Sequence, residues 1–342
     1  MSKKIVVVGP AWIGDMVMAQ TLFKLLKQRD PAVTIDVLAP PWSFPLLARM
    51  PEVSSAITMP LAHGELRLRA RFALGKLLRQ HQYDQAIVLP NSFKSALVLW
   101  FARIPQRTGW RGEMRYGVLN DVRVLNKKRY PLMIERFMAL GVSPNETLPV
   151  DYPLPELRVP SDTAQKLATK YPAIDLSKPI VALCPGAEFG PAKQWPPDYY
   201  AAVANAKLNA GWQVWLLGSQ KDRVATEEIM RLTENRCIDW AGKTTLEEAI
   251  DLLSLSTAVV SNDSGLMHVG AALRKPLVAI YGATSATFTP PLHIGARIVS
   301  LSLECQPCFQ RTCPLKHHRC MKELLPQQVL TAISSATSDK TQ

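Results

Sequence analysis

Residues 258–272 read Ala-Val-Val-Ser-Asn-Asp-Ser-Gly-Leu-Met-His-Val-Gly-Ala-Ala. The apolar run at 258–260 predicts a buried strand. The turn at 262–268 follows that strand and opens a predicted helix at 265–273. In open α/β sheets, ligands bind beyond the carboxyl ends of the strands. The N–H groups at a helix N-terminus attract anions. This stretch therefore predicts an α/β fold that holds an anionic ligand, such as a diphosphate, at the turn.

The same alternation of strand and helix extends in both directions along the chain. Further strands are predicted at 5–8, 34–39, 86–89, 180–184, 213–217, 237–240 and 277–281, and further helices at 66–82, 198–209, 222–233, 246–255 and 326–337. Such alternation indicates crossover connections and parallel sheets. A proline-rich join between residues 149 and 179 separates two similar halves. We predict two Rossmann-like domains facing across a cleft, at 1–160 and 161–325, followed by a helical tail at 326–342.

Composition narrows the setting. No apolar run approaches the roughly 18 residues of a membrane-spanning helix, and no signal peptide is recognisable, so a cytoplasmic protein is expected. The net charge of +12 is uneven, with +10 in residues 1–155 and +2 in residues 156–342. A basic first half indicates an anionic partner, such as a phosphorylated sugar, nucleic acid or an acidic membrane surface.

The turn supplies four candidate ligand-binding residues: Asp263, Ser264, Gly265 and His268. Gly265 permits close approach of the backbone to a ligand, Ser264 can donate a hydroxyl hydrogen bond, and His268 lies one turn into the helix. The alternative is that Asp263 or Ser264 is only a helix N-cap. An N-cap explains one of these residues but not their occurrence together, so the ligand-binding interpretation is preferred.

The first strand is followed by Gly9-Pro-Ala-Trp-Ile-Gly-Asp15, which only loosely resembles a dinucleotide fingerprint. Ala11 stands where the fingerprint needs its middle glycine, which disfavours a dinucleotide cofactor and a dehydrogenase. After this loop, Met18, Leu22, Leu25 and Leu26 recur at helical spacing and predict a first helix. Asp15, at the start of that helix, suits a general base for an acceptor hydroxyl. Equally, its carboxylate could simply complement the helix dipole.

Two further segments carry reactive side chains. Lys193, in the loop at 185–196, is predicted as a mobile cation over a phosphate leaving group, with a solvated surface lysine as the alternative. The tail contains Cys305, Cys308, Cys313 and Cys320, near two histidines. Their density suggests a structural metal, but the spacing is not that of paired C-x2-C motifs, and a set of reduced thiols is the alternative.

Gly14-Asp15, Lys193-Gln-Trp-Pro and Asn262-Asp-Ser-Gly-Leu-Met-His268 together resemble motifs of the ADP-heptose:lipopolysaccharide heptosyltransferases, glycosyltransferase family 9. The resemblance covers nearly the whole chain and is greatest to the branch that adds the second heptose. It implies the GT-B fold, ADP-heptose as donor, inversion at the anomeric carbon and heptosyl-Kdo2-lipid A as acceptor. It also implies that the donor binds the second domain and the acceptor the first.

The resemblance also assigns roles to residues. It implies that Asp15 is the catalytic base, that Lys193 contacts the donor phosphate, and that the turn around Asp263 holds the diphosphate. Asp222 stands where the family often has an acidic residue for the ribose hydroxyls. Glu188 departs from the pattern, because some relatives have a hydroxyl residue near the phosphate at that place.

The implied reaction needs no metal, and the implied setting is the cytoplasmic face of the inner membrane. A phosphorylated glycolipid at an anionic membrane fits the basic first domain. Candidate contacts are Arg67, Arg69, Arg71, Arg103, Arg107, Arg111 and Arg115. Remaining alternatives are a heptosyltransferase of type I or III, or a non-catalytic nucleotide-sugar or nucleic-acid binding protein. Nucleic acid is disfavoured because the interleaved aromatic and basic residues of a single-strand groove are missing.

Overall fold

A computed structural model of the chain describes residues 2–61 and 65–338. The chain divides into two compact units, Met1–Pro155 and Glu156–Gln342. Each unit is built around one parallel sheet of six strands.

The first unit contains β1 (Lys4–Val8), β2 (Thr34–Ala39), β3 (Ser55–Thr58), β4 (Gln85–Val88), β5 (Gln106–Trp110) and β6 (Asp121–Arg123). Its helices are α1 (Ile13–Arg29), α2 (Phe44–Leu47), α3 (Leu68–Leu78), α4 (Phe93–Phe101) and α5 (Met133–Met138). The strands lie in the order β3-β2-β1-β4-β5-β6. This is the Rossmann order, in which the chain changes direction across the sheet between β1 and β4.

The second unit contains β7 (Ile180–Cys184), β8 (Gln213–Leu216), β9 (Ile238–Asp239), β10 (Ala258–Asn262), β11 (Leu277–Tyr281) and β12 (Ala296–Ser300). Its helices are α6 (Thr163–Lys170), α7 (Pro197–Asn209), α8 (Arg223–Leu232), α9 (Leu246–Leu255), α10 (Gly265–Ala272), α11 (Arg319–Lys322) and α12 (Pro326–Ser338). The order is β12-β11-β10-β7-β8-β9, so the second sheet repeats the Rossmann order with its change of direction between β7 and β10.

Buried apolar side chains explain the strands in the middle of each sheet. All five residues of β7, β10 and β11 are buried, as are four of the five in β1. Strands covered on both faces by helices need such continuous apolar runs. The C-terminal helix α12 packs its buried Val329 and Ile333 into the same core as β7 and β10. The predicted two-domain α/β architecture with parallel sheets is confirmed.

The strands absent from the prediction are β3, β5, β6 and β12. Three of them are edge strands, and their residues are mostly half-buried or exposed. β5 reads Gln-Arg-Thr-Gly-Trp, which contains no apolar run. Because an edge strand is covered on fewer sides, its sequence carries little of the hydrophobic signal that identifies a central strand.

Candidate functional site

Three loops of the second unit meet where the strand order changes direction. They follow β7, β10 and β11, which are neighbours in the sheet although β8 and β9 intervene in the chain between β7 and β10. The carboxyl ends of neighbouring parallel strands lie at the same end of the sheet. Where the strand order changes direction, the loops that follow these ends leave a crevice between them. Lys193 is in the first loop, Asp263 in the second and Thr284 in the third.

These three side chains bind one another. Lys193 Nζ lies 2.6 Å from Asp263 Oδ2 and 3.3 Å from the Asp263 carbonyl oxygen, and Thr284 Oγ1 donates to Asp263 Oδ2 over 2.6 Å. The Lys193 side chain is only 13% exposed and that of Asp263 only 5%. Lys193 Nζ also lies 5.0 Å from the centre of the Phe189 ring, a cation–π distance. Lys193 is therefore held in place here, and the prediction of a mobile cation does not describe this state.

Asn262 fastens the first two loops together. Its fully buried amide accepts hydrogen bonds from the Trp195 backbone N–H at 3.3 Å and the Tyr200 hydroxyl at 3.0 Å, and donates to the Pro185 carbonyl at 2.7 Å. Buried polar groups are retained when they are hydrogen-bonded in this way. Asn262 therefore holds the loop that carries Lys193 in a fixed position relative to the end of β10. It is the last residue of β10, which extends two residues beyond the predicted strand at 258–260 and includes the first residue of the predicted turn.

The N-terminus of α10 is not closed by the side chains that could cap it. Ser264 occupies the N-cap position, but within the described residues its side chain accepts no hydrogen bond from the helix. The Ser264 hydroxyl instead lies 3.1 Å from the Ser261 hydroxyl. Asp263 directs its carboxylate to Lys193 and Thr284. The simple N-cap interpretation of these two residues is thus not what the structure shows, and the end of α10 retains its capacity to attract an anion.

His268 lies in the first turn of α10 and is 5% exposed. Burial lowers the pKa of its imidazole to about 4; the Asp263 carboxylate opposes this shift and the Lys193 ammonium adds to it. The ring is therefore neutral near pH 7. A neutral imidazole offers one N–H donor and one nitrogen acceptor to a polar partner.

Asp222 stabilises the loop after β8. Its Oδ2 accepts hydrogen bonds from the Ser219 N–H at 2.7 Å and the Ser219 hydroxyl at 2.8 Å. A side-chain carbon at Gly186 would stand 2.5 Å from the Asp222 carboxylate, so glycine is required beside it. Asp222 therefore lies next to the loop that carries Lys193, with a local capping role that the sequence did not reveal.

Asp15 belongs to the first unit, in the first turn of α1 directly after β1 and its loop. The side chain is half-buried. Asp15 therefore lies at the carboxyl end of β1, and β1 is one of the two strands between which the strand order of the first sheet changes direction. Ligands of open α/β sheets bind at this position, and the role of Asp15 stays a prediction.

The predicted arginine contacts separate into two groups. Arg71 and Arg115 are 3% and 1% exposed, and their guanidinium groups donate to backbone carbonyls, among them those of Leu66 and Pro90. Burial lowers the pKa of both groups. Arg107 is half-buried and donates to the Val118 carbonyl over 2.7 Å. Arg71 and Arg115 are too deeply buried to serve as the predicted contacts with a glycolipid at a membrane, and that part of the prediction is wrong. For Arg107 it stays a prediction. The remaining four are exposed: Arg67, Arg69, Arg103 and Arg111.

Thr284 is the site residue that sequence reasoning missed. The sequence did contain an indication of its role. Thr284 lies in the loop after β11, and Asp263 lies directly after β10, so both are at the carboxyl ends of neighbouring strands. Hydroxyl residues at the ends of neighbouring strands are candidates for one site in any parallel sheet.

Comparison with known proteins identifies the family of the chain. A model of glycosyltransferase family 9 (heptosyltransferase) matches residues 71–319. Lipopolysaccharide heptosyltransferase 2 of Salmonella typhimurium is 46% identical, covering 98% of this chain and 99% of the relative, and that of Escherichia coli is 47% identical, covering 97% and 98%. The solved ADP-heptose lps heptosyltransferase II of Escherichia coli superposes with a TM-score of 0.89 at 44% identity, covering 99% of this chain and all of that one. The chain therefore belongs to glycosyltransferase family 9, the heptosyltransferases.

Proposed function

We propose that the protein transfers L-glycero-D-manno-heptose from ADP-heptose to the first heptose of heptosyl-Kdo2-lipid A, with inversion, in assembly of the lipopolysaccharide inner core. Relatives of nearly the same length and 46–47% identity are named Lipopolysaccharide heptosyltransferase 2. The observation that carries the proposal is the cluster of Lys193, Asp263 and Thr284 beside the N-terminus of α10.

The donor diphosphate would lie against this cluster. An ammonium group has three donors, and the contacts to Asp263 engage two of them, so the third can reach a phosphate oxygen. Asp263 and Lys193 cancel each other's charge. Net attraction for the diphosphate then comes from the α10 dipole and from hydrogen bonds of Lys193, Ser264 and the Gly265 backbone.

Two further residues complete the proposed donor site. His268, neutral at pH 7, would donate or accept a hydrogen bond at the diphosphate without adding charge. The second oxygen of Asp222 would accept from the ribose hydroxyls, while its Oδ2 remains bound to Ser219. With these roles, the nucleotide would lie over the carboxyl ends of β7, β8 and β10.

Asp15 would act as the base in the transfer step. The acceptor hydroxyl oxygen forms a bond to the anomeric carbon as its proton passes to the Asp15 carboxylate. The bond between the anomeric carbon and the ADP phosphate oxygen breaks, and ADP leaves with both bonding electrons. Lys193 and the α10 N-terminus stabilise that developing negative charge, so the proposed chemistry needs no metal ion.

The first unit would approach the anionic cytoplasmic face of the inner membrane, where the glycolipid acceptor is anchored. Within the described residues, no helix has both the length and the apolar character needed to cross a bilayer. Instead, α3 and α4 expose Phe72, Leu77 and Trp100, which are 48%, 59% and 47% exposed. Exposed Arg69 and Lys76 lie on the same helix face as Phe72. Apolar side chains flanked by cations suit an anionic membrane interface.

Activity and donor binding can be separated by substitution at Asp15. Asp15→Asn keeps the shape but removes the base, so turnover should fall by roughly 10²–10⁴-fold. ADP binding, measured by calorimetry, should stay within twofold, since Asp15 is not in the donor-binding unit. Asp30→Asn, at the opposite end of α1, is the matched control and should keep wild-type turnover. Wild-type turnover of Asp15→Asn would refute the role of Asp15.

Donor and acceptor are tested directly. Thermal stabilisation should be greatest with ADP among ADP, UDP and GDP, and heptose should be transferred to heptosyl-Kdo2-lipid A but not to Kdo2-lipid A. Preference for UDP would refute the donor assignment, and transfer to Kdo2-lipid A would indicate a type I enzyme.

Membrane contact is tested by co-sedimentation with vesicles of anionic and zwitterionic lipid. The wild type should bind anionic vesicles, and the double variant Phe72→Ser/Trp100→Ser should bind them at least tenfold more weakly. Ile294→Ser removes an even more exposed apolar residue, 91% exposed, from the second unit and should not change binding. Equal binding by the double variant and the wild type would refute this surface.

A further inference from the structure

The cysteine-rich segment after β12 places its four thiols along one small cavity. Cys305, Cys308, Cys313 and Cys320, with His317 and His318, line a single cavity of about 20 Å³. A space of that size holds one water molecule or one ion. Four cysteines within 16 residues therefore converge on a space that fits a monatomic ligand.

The same segment supports the loops that carry the proposed donor site. The Ala192 N–H donates to the Arg311 carbonyl over 3.1 Å, and the Phe309 N–H donates to the Ala283 carbonyl over 2.7 Å. Ala192 precedes Lys193, and Ala283 precedes Thr284. The segment thus contacts the direct chain neighbours of both residues that bind Asp263.

A close backbone approach strengthens this connection. Gly190 has a φ of +155°, and a side-chain carbon there would stand 2.5 Å from the Arg311 carbonyl oxygen. The Lys193 loop and the cysteine-rich segment are therefore packed backbone against backbone. Any change in the conformation of the segment would be transmitted to Lys193.

We propose that Cys305, Cys308, Cys313 and Cys320 bind one soft divalent cation, zinc or ferrous iron, which holds the segment against the Lys193 loop. Four thiolates are a preferred ligand set for these ions. The four thiol protons pass to solvent on binding.

The site must close slightly as the ion binds. In the described part of the chain, no three side chains of ligand type already stand around one point at metal-binding distance. Cys320 lies in α11, whereas residues 301–318 form neither helix nor strand. The sulfurs of Cys305, Cys308 and Cys313 can therefore move toward Cys320 without breaking regular structure. The ion would act on the proposed donor site by positioning Lys193, and it takes no part in the transfer step.

Metal content of untagged protein, purified without chelator, tests the site independently of transferase activity. The wild type should contain zinc or iron in stoichiometric amount by plasma mass spectrometry. Cys308→Ser and Cys313→Ser should each lose at least nine-tenths of it. Cys237→Ala is the matched control, a buried cysteine of the same unit outside the segment, and should retain the metal. Metal-free wild type that does not take up zinc, or equal retention in all variants, would overturn the proposal.

Cobalt titration of the wild type covers the case in which the serine variants fail to fold. Tetrahedral thiolate coordination should give an intense sulfur-to-cobalt band in the near ultraviolet. Absence of that band, with all four thiols reacting freely with Ellman's reagent, would overturn the proposal. Metal removal should also weaken ADP binding; this last measurement alone rests on the proposed donor site.

Discussion

The ion pair of Lys193 and Asp263 offers the sharpest test of the site. Lys193→Met keeps the length and apolar stem of the side chain but removes its charge. Asp263 is 5% exposed, so its carboxylate would remain buried with the Thr284 hydroxyl as its remaining side-chain partner. Removing one partner of a buried pair costs about 3–5 kcal/mol. For a unit of this size, that corresponds to a fall of roughly 6–20 °C in melting temperature.

The matched control is Lys221→Met, which breaks the pair of Lys221 with Glu188 in the same unit. Those side chains are 73% and 47% exposed, so the expected cost is about 0–1 kcal/mol. Urea denaturation measures the free energy of unfolding of both single variants and of the double variant Lys193→Met/Asp263→Asn. The double variant should be more stable than Lys193→Met, because it leaves no buried charge. If Lys193→Met lowers the free energy of unfolding no more than Lys221→Met does, the Lys193–Asp263 pair does not behave as a buried ion pair.

Three further predictions follow from other contacts. The buried imidazole of His268 has a pKa of about 4 in the folded protein, whereas in the unfolded chain its pKa is about 6.5. Below pH 6.5 the unfolded chain therefore binds a proton that the folded protein does not. The free energy of unfolding should fall by about 3 kcal/mol between pH 6.5 and 4. His268→Gln should flatten that fall in urea titrations, and an unchanged slope would contradict the assignment. Gly186→Ala should place a methyl group against the Asp222 carboxylate and cost about 1–3 kcal/mol, with weaker ADP binding in calorimetry; wild-type values would show that the loop gives way freely. Tyr83→Phe should cost about 1–3 kcal/mol in urea denaturation, because Tyr83 donates a 2.5 Å hydrogen bond to buried Asp36, and no loss would show that water replaces it.

Local sequence was sufficient for the central elements of both sheets. The apolar runs that became β1, β7 and β11 are covered on both faces, and that burial is what an uninterrupted apolar run records. Helix α9 and strand β11 have the predicted limits. The turn at Asp263 was also visible, since small polar residues between a strand and a helix predict a ligand-binding loop.

Contacts within the site depended on the order of the strands. Lys193 and Asp263 are 70 residues apart, and they meet because β10 lies beside β7 with β8 and β9 placed on the other side. Nothing in either segment encodes that adjacency. The same holds for Asn262, whose amide joins Trp195 and Tyr200 across the gap.

The arginines of the first unit show the division most clearly. The sequence by itself determined their number and hence the strong positive charge of that half of the chain. It could not distinguish Arg69, which is exposed, from Arg71, which is buried two residues later. Only the tertiary structure decided which of the two is buried. The Arg71 guanidinium donates hydrogen bonds to the carbonyl of Leu66, just before its own helix, and to the carbonyl of Lys94 in α4. A guanidinium is buried where carbonyl oxygens replace its water, and those oxygens are brought together only when the chain is folded.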